Sequence, residues 1–212
     1  MRMRKKPNLL PRMARCAGVL VDEPETLRGY WRETFPGYGA LALELGCGKG
    51  RFTSELAARD PKTLVVGVER APDALVVAME RASALALPNV RFLSRDARLL
   101  PQIFAPAEID ALYLNFCDPW PRNRDRDRRL TAPGFLEIYA AILSPNGELR
   151  FKTDNRPLFD WSVLQLKKGG WALRELTYDL HKDGVQGIMT DYEEKFYSQG
   201  LPIYQVIAVK GE

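Results

Sequence analysis

The hydrophobic and polar positions of this chain alternate between short apolar runs and longer amphipathic stretches. Leu41, Ala42, Leu43 and Leu45 form the first apolar run, of the length and character of a buried strand. Residues 64–68, 90–93, 110–116 and 148–151 give four more strands, and 171–180 and 203–209 close the series. Between these runs apolar residues recur at helical spacing. Phe52 and Leu56 precede the stop at Pro61; Leu75, Met79 and Ala82 follow Pro72; Leu136, Tyr139, Ala140 and Leu143 lead into Ser144-Pro145-Asn146-Gly147. Further helices are predicted near 25–32, over 157–168 and near 192–198. Residues 1–15 show no apolar periodicity.

The first strand runs into Gly46, Gly48 and Gly50, spelling E-L-G-C-G-K-G from Glu44. Glycine permits a tight turn and lets a ligand approach the backbone closely. A strand, glycine loop and helix in this order predict backbone N–H groups turned toward a small molecule at the sheet edge. Glu44 separates the loop from a pyrophosphate site, because a carboxylate repels phosphate and attracts a cation such as an ammonium or a sulfonium. A dehydrogenase loop or a plain turn is the competing reading. Glu69 ends the second strand, where an acid can accept from ribose hydroxyls and exclude a 2′-phosphate. Asp96, Asp118 and Asp154 stand just past the next three strands. Four consecutive strands therefore end in a carboxylate, and strand carboxyl ends line the crevice of open α/β sheets.

Composition narrows the class. The chain has 212 residues, 46% hydrophobic and 27% charged, with a net charge of +4. This suits one domain with an arm: a basic arm and short helix over 1–38, then a single domain over 39–212. Residues 1–32 hold eight Arg or Lys against three acids, a pattern of arms that order on an anionic partner or simply solubilise. Cys16, Cys47 and Cys117 are isolated and odd in number, so neither a disulfide framework nor a metal site is expected. His181 is the single histidine, and a surface or structural role is expected for it. No apolar run is long enough for a bilayer, and the basic start lacks a signal-peptide core; a cytoplasmic protein is expected.

The stretch after the fourth strand carries the substrate chemistry. In Asp118-Pro119-Trp120-Pro121 two prolines fix the backbone around one acid and one ring, and Trp120 could stack on a base. Arg122-Asn123-Arg124-Asp125-Arg126-Asp127-Arg128-Arg129 follows. In an extended segment its alternate arginines would form one row for a phosphate backbone, with Asp125 and Asp127 opposite. The alternative is a solvated loop in which the aspartates neutralise their neighbours.

These residues together resemble one family, the bacterial tRNA (guanine-N7-)-methyltransferases of the TrmB type, a class I S-adenosylmethionine-dependent group. The matching motifs are M-R-x-R-x-K-P from Met1, E-x-G-x-G-x-G from Glu44, D-P-W-P from Asp118, R-R-L from Arg128, F-x-T-D from Phe151 and T-x-Y-E-x-x-F from Thr190. The resemblance implies an α/β three-layer sandwich with a seven-stranded, mostly parallel sheet whose last strand is antiparallel. It implies transfer of a methyl group from S-adenosylmethionine to guanine N7 in the tRNA variable loop. Cofactor contacts fall to Glu44, Gly46, Gly48, Glu69, Asp96 and Asp118, with Asp118 also catalytic. Arg122, Asp154, Thr190, Asp191, Tyr192 and Glu193 would contact the substrate, and Arg124, Asp125, Arg126, Asp127, Arg128 and Arg129 the RNA. The partners implied are tRNA and no metal or membrane, the protein being a monomer or homodimer. The family has Lys where this chain has Arg122, and His where it has Asp125. Two alternatives remain at this point. A methyltransferase for an exocyclic amine resembles [DN]-P-P-[FYW], which Trp120 departs from, and the intact Glu44, Glu69, Asp96 and Asp118 argue against a tRNA-binding protein without catalysis. Cys117 could suggest covalent attack on a pyrimidine, but its setting is C-D-P rather than P-C, and a small buried side chain is expected instead.

Overall fold

A computed structural model describes residues 6–211. Its elements run in chain order as α1 (Leu9–Arg15), α2 (Trp31–Thr34), β1 (Ala40–Leu45), α3 (Arg51–Arg59), β2 (Thr63–Val68), α4 (Pro72–Ala84), β3 (Val90–Leu93), α5 (Leu100–Ile103), β4 (Ile109–Asn115), α6 (Pro133–Ile142), β5 (Leu143–Thr153), α7 (Arg156–Lys168), β6 (Trp171–Thr177), α8 (Asp191–Tyr197) and β7 (Tyr204–Lys210). The strands form one seven-stranded sheet in the order β3-β2-β1-β4-β5-β7-β6. β1, β2 and β3 pair in parallel, as do β4 and β5, while β7 runs antiparallel to both β5 and β6. This is the class I methyltransferase sheet. The chain up to Ala105 clusters as one unit and the chain from Pro106 onward as a second.

In the first unit β1 and β2 are buried along nearly their whole length, as continuous apolar strands covered on both faces should be. Pro72 sets the first turn of α4, whose Leu75, Ala78, Met79 and Ala82 pack against Val65, Val90 and Phe92. Asn89 is buried before β3, and its amide donates to the carbonyls of Ala57, Asp60 and Thr63 at 2.9, 3.1 and 2.9 Å, tying the end of α3 to the start of β2. The N-terminal segment departs from the sequence expectation of an unstructured arm. Residues 9–15 are helical although Pro11 sits among them, because α1 docks on α4: Arg12 donates to both carboxylate oxygens of Glu80 at 2.7 and 2.6 Å. Trp31 is fully buried, donates its Nε1–H to the Ile103 carbonyl and stacks on Phe104. The first five residues of the M-R-x-R-x-K-P match lie outside the described residues.

In the second unit β5 begins at Leu143, earlier than its apolar core suggests. Its pairing with β4 shifts between Ile109–Leu143 and Ala111–Glu148, so Ser144-Pro145-Asn146-Gly147 is accommodated as an irregularity inside the strand rather than as a turn before it. A side chain at Gly147 would meet the Ser144 carbonyl oxygen at 2.9 Å. β6 ends at Thr177, and 178–190 continue without a regular element. Among the described residues no helix is long and apolar enough to cross a membrane, and no cluster of three His, Cys, Asp or Glu is placed to hold a metal ion.

Candidate functional site

The glycine loop of the first unit leaves β1 with Gly46, Gly48 and Gly50 all at positive φ (70°, 57° and 70°). Four of its N–H groups, expected to face a ligand, bond within the unit instead. Gly46 and Cys47 donate to the Val68 carbonyl at 2.8 and 3.1 Å, Gly50 to that of Cys47 at 2.9 Å, and Gly48 to Glu69 Oε2 at 3.0 Å. The loop contributes shape instead. A Cβ built on Gly46 meets nothing within 4 Å, and one on Gly48 meets only the Gly46 carbonyl oxygen at 4.0 Å, so the backbone can be approached closely there. Gly50 serves a different end: its Cβ would lie 2.6 Å from that of Ala78, which is how α4 packs against the loop.

Glu69 follows β2 and accepts from two backbone groups, Gly48 N–H on Oε2 and Ala71 N–H on Oε1 at 2.7 Å. One oxygen thus braces the loop and the other the turn into α4, and each keeps a further lone pair for a hydroxyl. Asp96 caps the 3-10 turn over Ala97–Leu99, accepting from the Arg98 N–H and guanidinium and from Arg70. Partial burial opposes its charge, but the hydrogen bonds and nearby guanidiniums outweigh this and hold its carboxyl below the usual range. Glu44 is 3% exposed, and its carboxylate accepts the Thr53 hydroxyl from the first turn of α3. Burial, then the negative charges of Glu44 and Glu69, push the neighbouring Cys47 thiol well up, so it stays protonated.

In the second unit Asp118 and Asp154 lie at the carboxyl ends of the adjacent parallel strands β4 and β5. Both are exposed, and neither carboxylate accepts a hydrogen bond among the described residues. Asp118 sits in a turn bracketed by two residues at positive φ, Phe116 (53°) and Trp120 (41°). Such backbone is costly for bulky side chains and persists where the surroundings fix it. One fixing contact is Arg129, whose guanidinium donates to the Trp120 carbonyl at 3.0 and 3.3 Å and lies over the Trp161 ring at 4.4 Å. Burial, then the Asp118 charge, push the Cys117 thiol up to about 12, which removes the thiolate that covalent pyrimidine chemistry would need.

The arginine run is not extended. Residues Asn123–Arg128 form a 3-10 helix, so alternate arginines do not form one row and the aspartates do not share an opposite face. Asp125 sits 3.6 Å from Arg128 and 4.0 Å from Arg124. Arg128 stacks over the Trp120 ring at 3.8 Å, so the ring expected to receive a base carries a guanidinium here. Arg129 is half-buried in the two contacts above. Arg122, Arg124, Arg126 and Asp127 are exposed.

The T-x-Y-E match forms the start of α8. Thr190 is its N-cap and makes a capping box with Glu193. Asp191 and Tyr192 are exposed, and the Tyr192 ring stacks with Phe116 at 6.5 Å. Glu193, expected to contact the substrate, is fully buried here, with Lys152 Nζ at 2.7 and 3.0 Å, His181 Nε2 at 2.9 Å and the Thr190 N–H at 3.1 Å on its carboxylate. His181 is likewise buried, in the structural role expected of it. Lys152, between Phe151 and Thr153 in β5, carries no local sequence signal of this role, because its partners come from distant stretches of the chain.

Comparison with known proteins decides the family. A model described as "Putative methyltransferase" matches residues 39–206. The tRNA (guanine-N(7)-)-methyltransferase of Streptococcus suis is 42% identical over 209 residues, covering 98% of this chain and 99% of its own. The protein of the same name from Lachnoclostridium phytofermentans is 42% identical over 212 residues, covering 99% of both chains. The chain belongs to the tRNA (guanine-N7-)-methyltransferase family. Among solved structures, the 16S rRNA methyltransferase KamB superposes with a TM-score of 0.66 at 18% identity, over 86% of this chain and 94% of that one. The 16S rRNA (adenine(1408)-N(1))-methyltransferase from Catenulisporales acidiphilia does so with 0.64, also at 18% identity, over 87% and 93%. These two establish the fold. The family is one of enzymes, and the alternative of a tRNA-binding protein without catalysis has no support from it.

Proposed function

We propose that this enzyme transfers the methyl group of S-adenosylmethionine to N7 of guanine in the variable loop of tRNA, in the cytoplasm. The observation that carries the reading is the near-complete coverage of relatives named for that reaction at 42% identity. The geometry agrees with a cofactor of this chemistry. The glycine loop offers unfilled space beside its backbone, and Glu69 keeps acceptor capacity for a ribose diol while holding that loop. Asp96 would take the adenine amino group, and the buried charge of Glu44 would favour a cationic ligand. When bound, the cofactor supplies a methyl group on a positively charged sulfur.

Guanine N7 carries a lone pair and no proton, so methylation there requires no general base. The base becomes cationic as the new C–N bond forms and the old C–S bond breaks. Asp118, exposed and fixed between two strained residues, is suited to face that cation, so catalysis is mainly positioning and electrostatics. Asp154 is the open carboxylate able to accept the N–H groups that distinguish guanine from adenine. Arg122, Arg124 and Arg126 supply phosphate contacts. The test is to incubate tRNA with the protein and labelled cofactor and map the label. 7-Methylguanosine in the variable loop is the expected product; label on an exocyclic amine or a pyrimidine carbon would overturn the reading.

A further inference from the structure

Lys152 and Glu193 form a buried ion pair that no part of the methyl transfer explains. Lys152 lies inside β5 and reaches both carboxylate oxygens of Glu193 and the Ile188 carbonyl, the last at 2.9 Å. The Glu193 carboxylate also takes the Thr190 N–H and His181 Nε2. His181 Nδ1 accepts the Gln186 N–H at 3.1 Å, which places a proton on Nε2, facing Glu193. Four hydrogen bonds from three separate stretches thus converge on one carboxylate with no solvent access. The backbone of Lys152 completes the arrangement, because its carbonyl accepts the Phe116 N–H at 2.9 Å. The Phe116 ring in turn stacks on Tyr192. One residue therefore ties the turn that carries Asp118 to the segment that carries Thr190, Asp191 and Tyr192.

We propose that Lys152 and Glu193 are positioning residues: a buried strut that sets Thr190–Tyr192 against the Asp118 turn, with the Glu193 carboxylate making no contact with guanine. This rests on the proposed guanine N7 reaction and deepens it, since base discrimination then falls to Asp154 and the first turn of α8. A buried pair has a diagnostic energetics. Removing one partner strands a charge in the interior, whereas neutralising both removes that penalty. A carboxylate that touches the base behaves otherwise, because neutralising its buried neighbour cannot restore it.

The test compares Lys152→Met, Glu193→Gln and the double variant, reading kcat and KM for tRNA and, by calorimetry, cofactor affinity. Each single change should raise KM for tRNA at least about tenfold and leave cofactor affinity within about twofold. The double variant should recover, methylating better than either single and within about tenfold of the parent, a coupling that only interacting residues show. A folded double variant that binds cofactor normally but is no better than Glu193→Gln would overturn the strut. Should a single variant fail to fold, the double decides alone: activity within about tenfold of the parent supports the proposal and a larger loss overturns it. Failure of the reaction assignment is distinguishable, because the unsubstituted protein would then make no 7-methylguanosine.

Discussion

The two units treat their strand-end carboxylates in opposite ways. In the first, Glu69 braces the glycine loop and the turn into α4, Asp96 is held by Arg98 and Arg70, and Glu44 is buried against Thr53. In the second, Asp118 and Asp154 are exposed and accept no hydrogen bond among the described residues, while Glu193 is sunk into an ion pair. Carboxylates that already carry hydrogen bonds are oriented before a ligand arrives, which lowers the ordering cost of binding. Exposed carboxylates beside a strained turn are suited instead to a charge that appears only during the reaction. Under the proposed function, the contrast fits preorganised cofactor binding by the first set and catalysis and base selection by the second.

The largest effect should come from the second set. Asp118→Asn preserves shape and removes the charge, so the single-turnover rate at saturating cofactor and tRNA should fall about 10²–10³-fold, the range for losing one electrostatic stabiliser. Next is Glu69→Ala. Losing a charged acceptor for Gly48 and Ala71 should weaken cofactor binding by about 1.5–3 kcal/mol and leave tRNA affinity nearly unchanged, as calorimetry and filter binding would report.

The glycine loop, the strand-end acids and β3 were legible because apolar runs punctuated by Gly and Pro are local signals. The bounds 90–93 for β3 were read directly. Other features are tertiary. α1 has no apolar stripe and is held by tertiary contacts, with Met13 packed against the core and Arg12 paired with Glu80. The 3-10 form of the arginine run depends on Asp125 meeting Arg128 and on Arg128 and Arg129 packing on two tryptophans, none of which alternation of charge reveals. Glu193 was legible in part: Thr190-Asp191-Tyr192-Glu193 is a capping-box pattern, which predicts a carboxylate turned back on its own helix. Its burial was not, because that requires Lys152 and His181 from elsewhere in the chain.

The arginine run sharpens the contrast between engaged and open groups. Arg124→Ala and Arg126→Ala should each flatten the salt dependence of tRNA binding by about one unit, if each meets a phosphate. Arg129→Ala should instead lower the melting temperature and affect every tRNA alike, since it removes the hold on the Trp120 carbonyl. The smallest effect is a pH dependence. The Asp96 carboxyl lies below its ordinary range, so its stabilising interactions are present above the unfolded-state value, near 4, and are lost as pH falls through the lower folded-state value. The melting temperatures of the parent and Asp96→Asn should therefore differ at neutral pH and converge in acid.

The division of labour is tested most directly by measuring cofactor affinity and single-turnover methyl-transfer rate side by side for Glu69→Ala and Asp118→Asn. The account predicts a crossed pattern: Glu69→Ala loses chiefly affinity and recovers its rate at saturating cofactor, whereas Asp118→Asn loses far more rate than its affinity explains. Both variants losing the same quantity in the same proportion would contradict it.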